Sequence, residues 1–536
     1  MKRWILKTNF KNCVQFPGIL ADLCLVAAFL CAFPLSAATA MAGNNVGAAF
    51  SAWPDTGQDT CYNNVSMMIP CPSEGGEFHG QDAQYQGPAR RYTKLDFKDG
   101  QLVELPDSAT LEDGWIMTRD NVTGLIWEIK ANKDGNEHYN DPHDADNIYF
   151  WCDTDPTTNG GSQGACSGNG DVEDFVNSLN HNRFGGFSDW RVPTIKELMS
   201  LIDLSRTAPA LNTDFFPNIK SDYYWSSTTF PDIYSAWGVN VADGFNVTER
   251  KDSYGYVRAV RGTPIHKNSF VDNHDGTITD TETGLMWQKC SIGQNYNSSE
   301  GSCNNGIAQQ YLWKQALGSC EGLTFAGHDD WRLPNRNELL SIVDYSKSGP
   351  AIDTRFFVVT GGSHGNSDCC QYWSSTTFAG SASVAWGVEF YTGGDDGNLK
   401  TLFTKYVRCV RGGFSGSFTD LTVSLPRGGE VEGTVITAPE KTCRIGPCVW
   451  PYLEGTEVTL TVAADEGFVF TGWAEACAEC GTSETCSIIM DADKTCTAVI
   501  NPRSGSGNSG GRFFVIKAKN GKAIILPLHG SRSSTQ

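Results

Sequence analysis

The chain has 536 residues, 40% of them apolar and 19% charged, with 57 glycines, 15 tryptophans and 19 cysteines. That length exceeds a single core and asks for roughly three or four domains. A formal charge of −20 excludes nucleic acid as a partner, because phosphates need a basic footprint, and it disfavours anionic lipid for the same reason.

In chain order, residues 1–42 read as an export signal. Lys2, Arg3, Lys7 and Lys11 precede an apolar run from Ile19 to Ala40, and Ala38-Thr39-Ala40 supplies a small-x-small cleavage pattern. A second cut falls after Ala42. Asp22 and Pro34 disfavour an uncleaved anchor. No later segment reads as transmembrane, so no membrane span is expected in the mature chain. Residues 43–89 read as loop-rich material stapled by Cys61–Cys71.

Two units follow, at 90–263 and 268–413, and they repeat each other. Thr123-Gly-Leu-Ile-Trp127 recurs as Thr283-Gly-Leu-Met-Trp287, and Asp189-Trp-Arg-Val-Pro193 as Asp330-Trp-Arg-Leu-Pro334. Tyr224-Trp-Ser-Ser-Thr-Thr-Phe230 recurs as Tyr372-Trp-Ser-Ser-Thr-Thr-Phe378, and Ala236-Trp-Gly-Val239 as Ala385-Trp-Gly-Val388. Tyr256-Val-Arg-Ala-Val-Arg-Gly262 recurs as Tyr406-Val-Arg-Cys-Val-Arg-Gly412. Blocks in one order at a domain-sized offset mean two tandem globular domains, not a solenoid.

Within each unit, Thr194-x-x-Glu197 and Asn335-x-x-Glu338 are capping-box patterns. They predict helices near 195–203 and 336–344, preceded by helices near 172–181 and 308–320. The aromatic and β-branched blocks predict short antiparallel strands late in each unit. The expected fold class is α+β.

Residues 418–500 alternate like a small all-β module. Residues 501–511 read as a flexible linker, and 512–536 as a β-hairpin tail turning at Asn520-Gly521.

Sixteen cysteines beyond the signal fall in even local groups, the pattern of disulfides in an oxidising compartment. The expected bridges are Cys61–Cys71, Cys152–Cys166, Cys290–Cys303, Cys320–Cys409, Cys443–Cys448, Cys477–Cys486 and Cys480–Cys496. The pairing of Cys369 and Cys370 stays open. Zinc is disfavoured, because Cys477-x-x-Cys480 has no matching second thiolate pair.

The repeated blocks resemble the C-terminal domain of the collagen-like adhesin family, Lcl_C. The Trp-Arg-Leu-Pro-x-x-x-Glu-Leu stretch is similar to a segment of formylglycine-generating enzymes. This resemblance implies two tandem C-type-lectin-like domains, and it implies extracellular recognition with sulfated polysaccharide as a ligand class. Residues 418–500, with Gly467-Phe-Val-Phe-Thr-Gly-Trp473, resemble the divergent internalin-type B-repeat.

The expected function is that of a secreted or cell-surface adhesin-like binding protein, with a glycan or extracellular matrix component as partner. The periplasm is the alternative location. A structural envelope or matrix component is the alternative role, and a formylglycine-generating-type oxidative enzyme ranks below it. The expectation is that the chain is not an enzyme: the nine histidines show no metal spacing and no pairing with a serine in a nucleophile elbow.

Ligand contact is expected from Trp225, Trp237, Asp243 and Arg258, and from Trp373, Trp386, Asp395 and Arg408. The rival expectation is that the tryptophans are core and the arginines pair with Asp189 or Asp330. No cofactor is expected beyond calcium, for which Asp272, Asp275 and Asp280 supply hard oxygen ligands without the EF-hand register.

Overall fold

The computed structural model describes residues 53–65, 67–166, 168, 170–265, 268–360, 370–412, 418–425, 433–438, 441–443, 447–453, 456–465 and 467–502. It also describes the backbone of 513–517 and 523–527. The export signal expected at 1–42, most of the expected linker and Cys369 lie outside the described residues.

Each repeat opens and closes on one antiparallel sheet. In the first, the strand order is Val260–Arg261, Ile126–Glu128, Met117–Asp120, Tyr92–Lys98, Gln101–Leu105. In the second it is Phe270–Asp272, Thr277–Asp280, Met286–Gln288, Val410–Arg411. The Thr-Gly-Leu block makes the turn into the closing pair. Gly124 and Gly284 take φ of 75° and 69°, a region glycine enters without steric cost. Asp120 and Asp280 accept from the turn amides of Val122 (2.8 Å) and Glu282 (3.0 Å). Trp127 then pairs with Val260 and Trp287 with Val410, and both indoles are fully buried.

A second, three-stranded sheet in each repeat is built from the late blocks. The strands are Tyr223–Thr229, Ser235–Asn240 and Asn246–Arg250, and their counterparts Gln371–Thr377, Val384–Glu389 and Asp395–Leu399. The register slips at the same place in both, between Trp225 and Thr229 and between Trp373 and Thr377. The serine after each tryptophan fills the bulge: Ser226 Oγ donates to the Trp237 carbonyl (2.6 Å) and Ser374 Oγ to that of Trp386 (2.9 Å).

Four α-helices are found among the described residues: α1 Val172–His181, α2 Ile195–Leu201, α3 Trp313–Glu321 and α4 Arg336–Ser341. Both capping boxes form. Thr194 N donates to Glu197 (2.8 Å) and Asn335 N to Glu338 (2.8 Å), while each glutamate also takes a two-pronged arginine, Arg191 or Arg332. The helix expected at 308–320 starts only at Trp313, because Tyr311 is held extended by a backbone pair with Lys405.

The molecule is thus mostly β, in several small sheets with short helices between them. This corrects the expected α+β class and the C-type-lectin-like domains. Capping boxes and apolar spacing did announce helices, but α2 and α4 span only seven and six residues. The sheets carry most of the core.

The two repeats share one core cluster, beside a separate cluster in each. Trp127, Leu198, Trp237, Trp287, Leu340 and Trp386 belong to a single buried cluster. Trp237 packs on Tyr345 and Phe245 on Trp386, with ring centroids 5.1 and 4.3 Å apart. At the junction, Asn246 and Asp395 occupy equivalent positions and bond each other reciprocally. Asn246 N donates to Asp395 Oδ1 (3.0 Å) and Asp395 N to Asn246 Oδ1 (2.9 Å). This is the pattern of an isologous contact formed inside one chain.

The terminal module encloses its own core between two four-stranded sheets. One of them contains a parallel pair, Phe418–Ser424 beside Lys494–Pro502. Asn501 and Pro502, expected in the linker, therefore extend a strand. In the tail, Phe513–Lys517 pairs with Ala523–Pro527. Lys517 faces Ala523, and the turn expected at Asn520-Gly521 lies outside the described residues.

Cys61–Cys71, Cys152–Cys166, Cys290–Cys303, Cys320–Cys409 and Cys443–Cys448 are bridged. The last four cysteines pair differently from expectation. Cys477 bonds Cys496 and Cys480 bonds Cys486, in place of Cys477–Cys486 and Cys480–Cys496. Strand register decides this: Glu475 faces Cys496, so the chain leaving that strand delivers Cys477 to it, and the turn Ala478–Cys480 carries Cys480 toward Cys486.

Candidate functional site

Residues 53–90 precede the first repeat but pack largely on the second. Asn337 Nδ2 donates to the Pro54 carbonyl (3.3 Å). The Gln58 side chain clamps both backbone groups of Thr377, accepting from its N–H (2.9 Å) and donating to its carbonyl. Tyr85 donates to Glu321 (2.9 Å), and His79 also bonds that carboxylate (2.9 Å). Arg90 returns the chain to the first repeat, donating to the carbonyls of Ser200 and Ile202.

A cleft of about 380 Å³ lies between this segment and the second repeat. Trp53, Asp55 and Tyr85 line one wall, and Asp330, Arg332 and Asn335 the other. Arg332 lies over the Tyr85 ring, 5.3 Å from its centroid. Asp330 is exposed and pairs with Arg411, whose guanidinium holds its carboxyl below the usual range against the opposing effect of burial. Asp55 accepts from Gly57 N (2.8 Å) and Gly87 N (2.6 Å), yet burial keeps its pKa raised. The cleft thus combines the half-buried Tyr85 ring, the exposed Asp330 carboxylate and the polar groups of Arg332 and Asn335, with the Arg332 guanidinium committed to Glu338 and to the Gly412 carbonyl.

The residues expected to touch ligand sit elsewhere. Trp225, Trp237, Trp373 and Trp386 are at most 3% exposed and leave no face for a sugar to stack on. Arg258 and Arg408 are 1% exposed and donate to backbone carbonyls, Arg258 to Glu128 and Arg408 to Gln288, Lys289 and Val358. The aspartates Asp189 and Asp330 take the other arginine of each block, Arg261 and Arg411. Asp395 is buried against Arg336, with Arg336 Nε 2.7 Å from its Oδ2. Asp243, half-exposed in a turn, accepts from Phe245 N at 3.4 Å and joins none of the others. The physical reason is common to the set: these blocks build the sheets and the contact between repeats, and their indoles are spent on core.

Asp272, Asp275 and Asp280 are not among the described groups whose carboxylate, imidazole or thiol atoms come together. Asp272 holds Lys289 (2.6 Å), Asp275 accepts from Thr277 (2.9 Å) and Asp280 from Thr283 (2.8 Å), so each serves the hairpin. Carboxylate and imidazole atoms do approach one another at Asp134, His138 and Asp144. There His138 Nδ1 lies 2.7 Å from Asp144 and 4.0 Å from Asp134, and the bond to Asp144 raises its pKa.

Two stretches, 116–261 and 276–411, match the Lcl C-terminal domain and together cover just over half of the chain. The chain belongs to that family. Residues 433–502 match the divergent InlB B-repeat domain. No curated protein and no solved structure matches the chain. Two Lcl_C repeats with a B-repeat and many disulfides make this an adhesin-like extracellular or surface protein. No described helix is long and apolar enough to cross a membrane.

The cleft was invisible in the Lcl_C blocks because half of it comes from outside them. One signal could have found it. Tyr149-Phe-Trp151 corresponds to Tyr311-Leu-Trp313, since each tryptophan donates to the matching serine carbonyl, Trp151 to Ser226 and Trp313 to Ser374 (both 2.8 Å). Residues 152–171 separate the first tryptophan from α1, whereas α3 begins at Trp313 itself. The second repeat lacks a covering loop, and something else must cover it.

Proposed function

We propose that the protein is an exported, non-catalytic adhesin that holds a carbohydrate in the cleft between its N-terminal segment and its second repeat. The single observation behind this reading is the cleft lining, where the half-buried Tyr85 ring shares the space with Asp330, Arg332 and Asn335 while Trp53 is buried behind it in the core. Aromatic faces take up the apolar side of a sugar ring, and carboxylate and amide groups take its hydroxyls. Binding without catalysis is supported by the serines of the repeated blocks, whose hydroxyls are occupied within the fold. Ser226 and Ser374 donate to strand carbonyls, and Ser227 donates to Pro193.

The test is binding of the mature chain to a glycan array and to immobilised matrix proteins, with and without calcium. Glycan binding that weakens at least tenfold in Tyr85→Ala is the expected result. Silence on the glycan array, binding to matrix proteins alone, or glycan binding untouched by Tyr85→Ala would overturn the reading.

A further inference from the structure

We infer that residues 53–85 are a displaceable cap on the second repeat, standing where the Cys152–Cys166 loop stands in the first, and that protonation of Asp82 governs its docking. The inference starts from an equivalence. In the first repeat, Lys251 lies over Trp151 (4.2 Å to the ring centroid) and donates to the carbonyls of Asn159 and Ser162, both at 2.8 Å. Those carbonyls belong to the loop closed by Cys152–Cys166. Gly160 of that loop sits so close to Thr229 that an added Cβ would come within 2.6 Å of its hydroxyl.

In the second repeat, Lys400 lies over Trp313 (3.9 Å) and Thr377 stands at the position of Thr229. No loop intervenes between Trp313 and its helix. The N-terminal segment fills the place. Gln58 clamps Thr377, the Tyr62 ring lies 5.7 Å from Lys400 Nζ, and Asp82 accepts from Thr376 Oγ1 (2.6 Å). The segment carries its own disulfide, Cys61–Cys71, as the loop does. Unlike the loop, it is tied to the repeat it covers only by non-covalent contacts, and it also touches the first repeat, where Leu204 N donates to the Thr56 carbonyl (2.7 Å) and the Gln58 amide donates to the Leu204 carbonyl (3.2 Å).

Asp82 is the centre of the attachment. It is 2% exposed and is reached only by hydroxyls: Thr56 Oγ1 (2.8 Å) from its own segment and Thr376 Oγ1 from the repeat. Its other oxygen, Oδ1, is buried with no hydrogen-bond partner. A buried carboxylate without a cationic partner favours its neutral form. The charged groups facing it are Asp55 from its own segment and Glu338 and Arg332 from the second repeat, with Lys400 next to Thr377. Burial first, and then the Asp55 charge, push its pKa up to about 8.

A group whose docked pKa is raised stabilises docking fully below its free value and loses that contribution as pH rises through the docked value. Docking should therefore weaken about tenfold per pH unit for each proton taken up, between pH 4 and pH 8. Asp55, also raised, adds in the same direction. Lys400, lowered to about 7 by burial, acts with the opposite sign only above that pH. The window from pH 4.5 to 6.5 isolates the carboxylates. The cap is one wall of the cleft, so its release removes that wall.

The test measures amide hydrogen exchange in the full mature chain and in its Asp82→Asn variant, comparing residues 57–64 and 80–85 with the 152–166 loop. Taking the ratio of wild type to variant at each pH cancels the intrinsic exchange rate. The expected ratio in the cap rises about a hundredfold from pH 4.5 to 6.5, while that in the loop stays flat. Gln58→Ala should speed cap exchange at least fivefold at every pH and leave the loop unchanged. A flat cap ratio would sink the role of Asp82. Cap amides that exchange only with global unfolding, in wild type and in Gln58→Ala alike, would sink the cap itself. Neither readout involves a glycan, so failure here is separable from failure of the carbohydrate reading.

Discussion

The two Lcl_C repeats place the same blocks on the same strands, with the same bulge after the same tryptophan, and then solve three local problems differently. The first covers its Trp151–Lys251 contact with an internal disulfide loop, and the second borrows the N-terminal segment. The first keeps Ala259 in its closing region, where the second has Cys409 bonded to Cys320. At the junction, the first contributes apolar Ile195 at the head of α2, and the second contributes Arg336 at the head of α4, buried against Asp395. The shared parts are those a sheet cannot change without losing register. The differing parts are covers, clasps and contact faces, where several chemistries fill the same space.

Three contrasts can break or sharpen that comparison. The largest effect is expected from the clasp that only the second repeat has. Replacing both Cys320 and Cys409 by alanine frees an 89-residue span and should cost about 4 kcal/mol in denaturant unfolding. Removing Cys152 and Cys166 frees a 14-residue span and should cost about 3 kcal/mol. Equal costs would show that span length does not set the difference.

Arg336→Ala comes next. It leaves Asp395 buried and unpaired at the junction and should cost about 3 kcal/mol or more. The matching Ile195→Ala removes only apolar volume and should cost about 2 kcal/mol. If Arg336→Ala proves the milder of the two, the ion pair does not hold the repeats together.

The smallest and sharpest contrast is between the two lysines. Lys251→Met deprives two loop carbonyls of their donor and should destabilise by about 1–2 kcal/mol. Lys400→Met removes an ammonium whose burial lowers its pKa to about 7, so it should be neutral or slightly stabilising at pH 7. Thermal melts of the two variants under identical buffer decide it. Equal losses would mean that Lys400 is as well satisfied as Lys251.

The sequence alone determined what depends on neighbours along the chain. Repetition identified the family, and capping boxes located the starts of α2 and α4. Even cysteine groups with short spacings identified four bridges, and the joint absence of Cys320 and Cys409 from the first repeat identified a fifth. It stopped where the answer depended on which segments meet. The buried indoles of Trp225 and Trp373 look in sequence like binding platforms, because aromatic strands serve cores and ligands with the same residues. The pairing of Cys477 with Cys496 follows from strand register, to which cysteine spacing is blind.

Only the tertiary structure could show that the two repeats join through a shared core cluster, or that residues 53–85 cover a surface some 300 residues further on. Side-chain periodicity reports that a face is buried and says nothing of what covers it. A cover supplied by a distant segment leaves no local trace beyond a loop missing where its twin has one.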